Sequence, residues 1–164
     1  PSHWNRQDAS PEESLVDTTK AICEFIIREN DGSIRLTIHT FPILQDRMRI
    51  PPQGQIARWK GQFDELDVVA THTLPETHGG FSGLFFEGQG ILHENETKVI
   101  GWSMQLAPVF ERQFNQGRNL LDHNKRADYT IKANGPPELM NKYRQEILTF
   151  ARSFELIDEL PAPP

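Results

Sequence analysis

Histidine is the residue type in this sequence best suited to chemistry, and six are present. His72, His78 and His93 flank one strand-like region, and Glu76 lies near them. Imidazole and carboxylate groups at matched distances can bind Zn²⁺. No His-x-x-x-His or Cys-x-x-Cys pair fixes two ligands on one face, so we assign no metal residue. A metal- or small-ligand-binding protein that uses these histidines stays as an alternative, and it requires the three side chains to converge.

The nucleophile and phosphate-binding motifs are incomplete. The run Gly80-Phe81-Ser82-Gly83 approaches the Gly-x-Ser-x-Gly elbow of hydrolases, but Leu84 stands where the last glycine belongs. No Gly-x-x-x-x-Gly-Lys-Ser/Thr loop occurs, and the glycines lack the strand-turn-helix setting of a dinucleotide site. We therefore predict no catalytic residue, no cofactor and no enzyme activity.

A basic cluster around a long loop and the first helix is the best candidate for binding. It consists of Arg47, Arg49 and Arg58, with Lys60 beside them. In a protein of net charge −6, a local basic patch can bind an anionic group of a partner. Surface ion pairs are the simpler alternative for the same residues. The overall acidity argues against nucleic-acid binding, which depends on clustered Lys and Arg.

Cysteine usage and hydropathy say little about the cellular compartment. Cys23 is the single cysteine, so no internal disulfide can form, and its apolar neighbours predict a buried side chain. No run reaches the ~18 apolar residues of a transmembrane segment. The chain starts at Pro1 without Met, which is compatible with the removal of a signal or lipid-anchor segment upstream.

Hydrophobic periodicity predicts the strands that position these residues. The clearest prediction is a hairpin of strands at 21–28 and 33–41, joined by the turn Asn30-Asp31-Gly32. The second strand alternates apolar and polar residues, which indicates that one face points inward. The same patterns predict further strands at 68–71, 81–93, 98–109 and 127–134, with loops at 42–55, 71–80 and 110–125.

Two apolar stripes predict helices. The first helix spans 55–66, where Ile56, Trp59, Phe63 and Leu66 recur at helical spacing. The second begins at Pro136-Pro137 and runs to about residue 155. Strands joined by short turns imply antiparallel pairing. The predicted fold class is therefore α+β, an antiparallel sheet packed with amphipathic helices in a single domain over 1–164, with Trp4 as an anchor on the core.

Several sequence patches occur in a familiar order. They are Pro1-Ser2-His3-Trp4, Leu36-Thr37-Ile38, the helix Ile56-Ala57-Arg58-Trp59-Lys60-Gly61-Gln62-Phe63, Gly101-Trp102, Tyr129-Thr130-Ile131-Lys132-Ala133-Asn134-Gly135-Pro136, and Phe150-Ala151-Arg152-Ser153-Phe154. With this layout the chain resembles the superfamily that includes PsbP of photosystem II, the DcrB-type bacterial lipoproteins and the Ran-binding nuclear-import factor. It is similar above all to uncharacterised bacterial envelope proteins that share an Arg-Trp-x-x-Gln-Phe-like helix.

The resemblance implies an α/β/α sandwich of PsbP-like type, with helices on both faces of the sheet. Members of the superfamily mostly bind proteins, and some bind metal ions or are membrane-anchored lipoproteins. We therefore expect a non-enzymatic binding or accessory domain of unknown biological role, with a protein partner, in the periplasm or anchored in the cell envelope. Its binding surface is expected near the 42–55 loop or on an exposed polar face of the sheet. A chaperone-like groove for apolar segments is a further alternative.

Overall fold

The computed structural model describes residues 2–8, 19–29, 32–42, 49–110 and 126–156. These residues form one eight-stranded sheet with helices packed on it. No helix within these ranges is both long enough and apolar enough to cross a membrane.

Eight strands follow one another along the described chain. They are β1 (Asn5–Asp8), β2 (Cys23–Glu29), β3 (Gly32–Pro42), β4 (Glu65–Leu66), β5 (His72–His78), β6 (Phe81–Leu92), β7 (Asn95–Leu106) and β8 (Arg126–Gly135). Their order across the sheet is β1-β2-β3-β8-β7-β6-β4, and β5 pairs with β6 beside β4. Every pairing is antiparallel, which confirms the predicted α+β class with an antiparallel sheet.

The hairpin of β2 and β3 confirms the strongest strand prediction. Cys23 pairs with Ile38 and Glu29 pairs with Gly32, so the two strands align over their whole common length. The predicted turn residues Asn30 and Asp31 lie outside the described ranges. The strands predicted at 81–93, 98–109 and 127–134 correspond to β6, β7 and β8, with boundaries that differ by up to three residues.

Two helices carry the predicted apolar stripes, and the first is shorter than predicted and begins three residues earlier, within the loop predicted at 42–55. It is α1 (Pro52–Lys60), which ends where the N–H of Gly61 bonds to the carbonyl of Ala57 at 2.9 Å. Leu66, the last residue of the predicted stripe, belongs instead to β4. The stripe extends past the helix because Phe63 folds back against the buried cluster around Trp59. The second helix is α2 (Pro137–Arg152).

The region between α1 and β6 is where the sequence prediction is wrong. A strand was expected at 68–71 and a loop at 71–80, whereas the strand is β5 and the loop precedes it. The Asp67 carboxylate accepts bonds from the N–H groups of Val69 and Ala70, which fixes a turn there. Pro75 lies within β5, where it is tolerated because, among the described strands, β5 pairs with β6 alone.

The two helices pack on opposite faces of the sheet. On β7, Val99 and Gly101 face α1, whereas Trp102 belongs to the larger core beneath α2. Trp4 is buried in this larger core against Phe25 and Phe150, as predicted for an anchor.

Candidate functional site

The position of α1 is fixed by a close approach to β7. A Cβ atom on Gly101 would lie 2.5 Å from the Trp59 ring, so only glycine lets α1 pack this closely. Trp59 is buried against Phe86 and Val99, which ties α1 to the β6–β7 part of the sheet. The polar side chains of β8, β3 and β2 on this face lie beside α1.

These side chains line a groove of about 630 Å³, which we call the polar groove. Its floor is set by the pairing of β3 with β8, in which Thr37 lies opposite Lys132. One wall is α1, and the other comes from the segment that precedes β2 and from β1. Its lining includes Asp8, Glu24, Arg35, Thr37, Arg58, Gln62, Thr130, Lys132 and Asn134.

Lys132 is the most perturbed cation of the polar groove. Its ammonium group is half-buried and donates to the side-chain carbonyl of Gln62 at 2.6 Å. Burial, followed by the positive charges of Arg58 and Arg35, lowers the pKa of Lys132 from 10.5 to about 8. The folded protein therefore disfavours the charged form of this side chain.

The carboxylates of the polar groove are occupied by other cations. Glu24 accepts from Arg35 at 2.6 Å, and Asp8 accepts from Arg6 at 2.7 Å. Arg58 is exposed and makes no ion pair with the described part of the chain, and no carboxylate in that part neutralises Lys132. The groove thus presents two cations that an anion could neutralise, in a chain of net charge −6.

The predicted basic cluster is divided by the fold. Arg47 lies outside the described residues. Arg49 forms a two-bond ion pair with the buried carboxylate of Asp128, at 2.6 and 2.8 Å, and its side chain is 11% exposed. The same guanidinium donates to the carbonyl of Leu106 at 3.3 Å, so Arg49 ties the segment before α1 to the sheet. Of the two predicted binding residues within the described ranges, Arg58 lines the polar groove and Arg49 does not.

The histidines of the alternative prediction do not converge. His72 and His78 occupy opposite ends of β5, about 20 Å apart for an extended strand. His93 lies in the turn after β6, where its N–H bonds to Asp64 at 2.8 Å. In the described ranges no group of three or more His, Cys, Asp or Glu residues could hold a metal ion.

A buried carboxylate organises the opposite face of the sheet. Glu87 of β6 accepts three bonds from Arg144 of α2, at 2.9, 3.2 and 2.8 Å, and contacts Lys98 at 2.7 Å and His72 at 3.4 Å. Burial alone would raise the pKa of Glu87, but the bonds from Arg144 and Lys98 outweigh it and lower the pKa to about 2. Glu87 thereby connects α2 to three strands.

A second carboxylate holds the C-terminal end of α2. Glu76 of β5 accepts from Arg152 at 2.9 and 3.1 Å and from the indole N–H of Trp102 at 3.1 Å. His78 lies 3.5 Å from Glu76 and its Nε2 atom is 3.0 Å from the Tyr129 hydroxyl. Burial lowers the pKa of His78 and raises the pKa of Tyr129, so both side chains are neutral at pH 7. These contacts join β5 and β8 to the C-terminal end of α2.

Sequence reasoning overlooked Lys132, although a signal was present. Thr130, Lys132 and Asn134 alternate with buried apolar residues in β8, so one face of this strand is polar. β8 lies between β3 and β7, well inside the sheet. A lysine on the polar side of a central strand indicates a partly solvated sheet face, which is where a binding groove can form.

Comparisons with known proteins reveal similarity of fold. No protein-family model and no curated protein matches the sequence. The solved structure of LpqN from Mycobacterium tuberculosis, described as involved in cell envelope biogenesis, aligns with a TM-score of 0.52 and 10% identity over 94% of this chain and 78% of LpqN. PA94 from Pseudomonas aeruginosa, a protein of unknown function, aligns with a TM-score of 0.49 and 10% identity over 98% of this chain and 84% of PA94.

Proposed function

We propose that this chain is a non-enzymatic binding domain and that its polar groove holds an acidic group of a protein partner. One observation carries the proposal. Lys132 and Arg58 line the same groove, and neither forms an ion pair with a carboxylate of the described residues. Uncompensated positive charge inside a concave, hydroxyl- and amide-lined surface is the complement of a carboxylate or phosphate group.

The electrostatics of Lys132 favour an anion over a neutral ligand. Because its pKa is lowered to about 8, the ammonium group in the free protein lacks the stabilisation that water or a counter-charge would supply. A bound carboxylate supplies that charge and restores the ordinary pKa. Binding energy is therefore concentrated at Lys132, with Arg58 at the α1 wall as the second donor.

The cellular setting of the proposal is the envelope, in the periplasm or anchored to a membrane. LpqN, which is described as involved in cell envelope biogenesis, has a fold similar to that of this chain, which is compatible with this setting. The packing of α1 and α2 on opposite faces of the sheet likewise supports an α/β/α sandwich of PsbP-like type. In that superfamily most members bind proteins, so an acidic segment of a protein is the expected ligand.

The test is a titration of the isotope-labelled protein with a blocked oligoglutamate peptide, followed by amide NMR at low and high salt. Shifts are expected at Thr37, Thr130 and Lys132, and the apparent affinity should fall as salt rises. Lys132→Gln and Arg58→Gln should each weaken binding by about tenfold or more, because each removes one charge-assisted contact.

Arg28→Gln is the matched control, since it removes the same charge from an exposed residue outside the polar groove. It should bind the peptide within about twofold of the native chain, as expected for an exposed charge away from the contact. Equal losses in Arg28→Gln and Lys132→Gln would show that only net charge matters, and the assignment of the groove would then be wrong.

A further inference from the structure

A second groove lies on the opposite face of the sheet, between β5 and α2. It has a volume of about 660 Å³, and the side chains that define it are Leu74, Glu76 and Phe85 from the strands and Arg144, Leu148 and Arg152 from the helix. Leu74 is 52% exposed although it points to the same face as the buried Phe85. We call this surface the β5–α2 groove.

The outer edge of β5 offers main-chain groups to this groove. Gly79 and Gly80 both have positive φ and form a two-residue turn between His78 and Phe81, which are therefore a hydrogen-bonded pair. Because bonding alternates along an antiparallel pair, Thr73 and Thr77 direct their N–H and C=O groups away from β6. Within the described chain β5 pairs with β6 and with no other strand.

The backbone of Pro75 is also directed away from β6 in this alternation, and its nitrogen carries no hydrogen to donate. A proline in the middle of an edge strand limits long strand-to-strand association between identical chains. The edge retains the two donors of Thr73 and Thr77 on either side of it. The arrangement therefore fits a short foreign segment better than a second copy of this chain.

The charges of the groove have a definite spacing. Arg144, Leu148 and Arg152 are four residues apart, so they form one stripe along α2 with an apolar centre. The Cα atoms of Arg144 and Arg152 are about 12 Å apart along the helix axis. Each guanidinium uses Nε and Nη2 for Glu87 or Glu76, and no described residue accepts a bond from either Nη1 group.

The same spacing occurs in an extended peptide. Residues that share one face of a strand repeat about every 6.6 Å, so the first and fifth residues are about 13 Å apart. The Arg144 and Arg152 side chains are 41% and 51% exposed, whereas the carboxylates they hold are 4% and 13% exposed. The accessible charge of the groove is therefore positive at both ends and neutral in the middle.

We propose that the β5–α2 groove binds an extended segment of a partner protein with the pattern acidic-x-apolar-x-acidic, which pairs with the outer edge of β5. The central apolar side chain contacts Leu74 and Leu148, and the two carboxylates contact the Nη1 groups of Arg144 and Arg152. Main-chain bonds from Thr73 and Thr77 fix the register. The site is separate from the polar groove, which lies on the other face of the sheet.

Two blocked peptides of identical composition test the pattern. Thr-Glu-Thr-Val-Thr-Glu-Thr places both glutamates and the valine on one face, whereas Thr-Thr-Glu-Val-Glu-Thr-Thr turns the glutamates to the other face. Titration followed by amide NMR should show shifts at Thr73, Thr77 and Leu148, with the first peptide binding about tenfold more tightly. Equal affinities, or shifts confined to Lys132 and its neighbours, would overturn the proposal.

A pair of variants tests the strand addition. Thr77→Pro removes an outward N–H without breaking a bond to β6, and Thr77→Val keeps the N–H at nearly the same size. The first should weaken the tighter peptide about tenfold and the second by less than about twofold. Equal binding by the two variants would exclude main-chain pairing.

A further variant covers the case in which Thr77→Pro fails to fold. Leu74→Glu changes an exposed residue and places a negative charge in the middle of the groove, so it should also weaken binding about tenfold. Unchanged binding by this variant would overturn the proposal. Sedimentation of the native chain and of Thr77→Pro tests self-association through β5. A dimer formed by the native chain and lost in Thr77→Pro would replace the foreign segment with a second copy and likewise contradict the proposal.

Discussion

Replacing Lys132 with methionine should make the protein more stable while weakening the binding of an acidic group in the polar groove. Methionine keeps the unbranched aliphatic stem of lysine and loses the charge. The pKa of Lys132 is lowered from 10.5 to about 8, a gap of about 2.5, and each unit corresponds to about 1.4 kcal/mol. The full pKa difference corresponds to a destabilisation of the folded protein by about 3 kcal/mol at pH 7. Solvent access to the groove and loss of the bond to Gln62 reduce this value, so we expect a gain of about 1–2 kcal/mol.

The pH dependence of this gain provides the sharper measurement. In the folded state Lys132 releases its proton near pH 8, whereas in the unfolded state it does so near 10.5. Between these values the unfolded chain binds more protons, so the native protein gains stability as pH rises. Lys132→Met lacks this contribution, so its advantage should shrink steadily from pH 8 towards pH 10.5. Urea unfolding of both proteins across this range measures the difference directly.

Two results would refute the assignment of Lys132 as a strained cation. One is a loss of stability in Lys132→Met at pH 7, which would show that the ammonium group is well compensated. The other is a gain that stays constant between pH 8 and 10.5, which would trace the effect to packing. Lys20→Met is not a suitable control because Lys20 lines the same groove, whereas Arg28→Met changes an exposed charge outside it.

Two further predictions concern the buried ion pairs. Arg49→Met leaves the Asp128 carboxylate buried without its two-bond partner, so the free energy of unfolding measured in urea should fall by about 3–5 kcal/mol. A fall of less than about 1 kcal/mol would contradict the structural role of Arg49. Glu87→Gln should cost about 3 kcal/mol at pH 7, because the pKa of Glu87 is lowered from 4.5 to about 2. In the native protein this stability is complete above pH 4.5 and is lost as pH falls towards 2, so thermal unfolding of Glu87→Gln should lack that part of the acid dependence.

The elements that were predicted well have patterns of apolar and polar residues that are visible in their own sequence. β3 alternates between Ile34, Leu36 and Ile38 on one face and polar residues on the other, and the structure buries the apolar set in the larger core. α2 has a complete apolar stripe and a proline at its start. In both cases the burial pattern follows from the residues themselves, without knowledge of which neighbour covers them.

The elements that were predicted poorly depend on the rest of the fold. Pro75 is compatible with β5 because that strand lies at an edge, and the sequence does not indicate which strands are edges. The prediction of Arg49 as a binding residue did not anticipate its ion pair with Asp128, which joins residues 79 positions apart along the chain. The perturbation of Lys132 likewise depends on Arg58 and Arg35, which come from two other elements. Long-range pairings of this kind are not visible in local periodicity.

The proportions of the sheet explain why both candidate grooves lie beside a helix. Seven positions in the strand order span about 29 Å across the sheet, whereas a helix with its side chains is about 10–12 Å wide. Among the described residues α1 lies on one face and α2 on the other, and the width of either helix is less than half of the sheet width. Gly101 fixes α1 over β6 and β7, so the polar side chains of β8 and β3 lie next to it. On the other face, Glu87 and Glu76 hold α2 through Arg144 and Arg152, and the space between α2 and β5 remains as a groove. The contacts that anchor each helix thus also determine where charged side chains lie next to a part of the sheet that the helix does not cover. Variants that loosen the anchor of one helix should therefore weaken binding in the groove beside that helix and leave binding in the other groove unchanged.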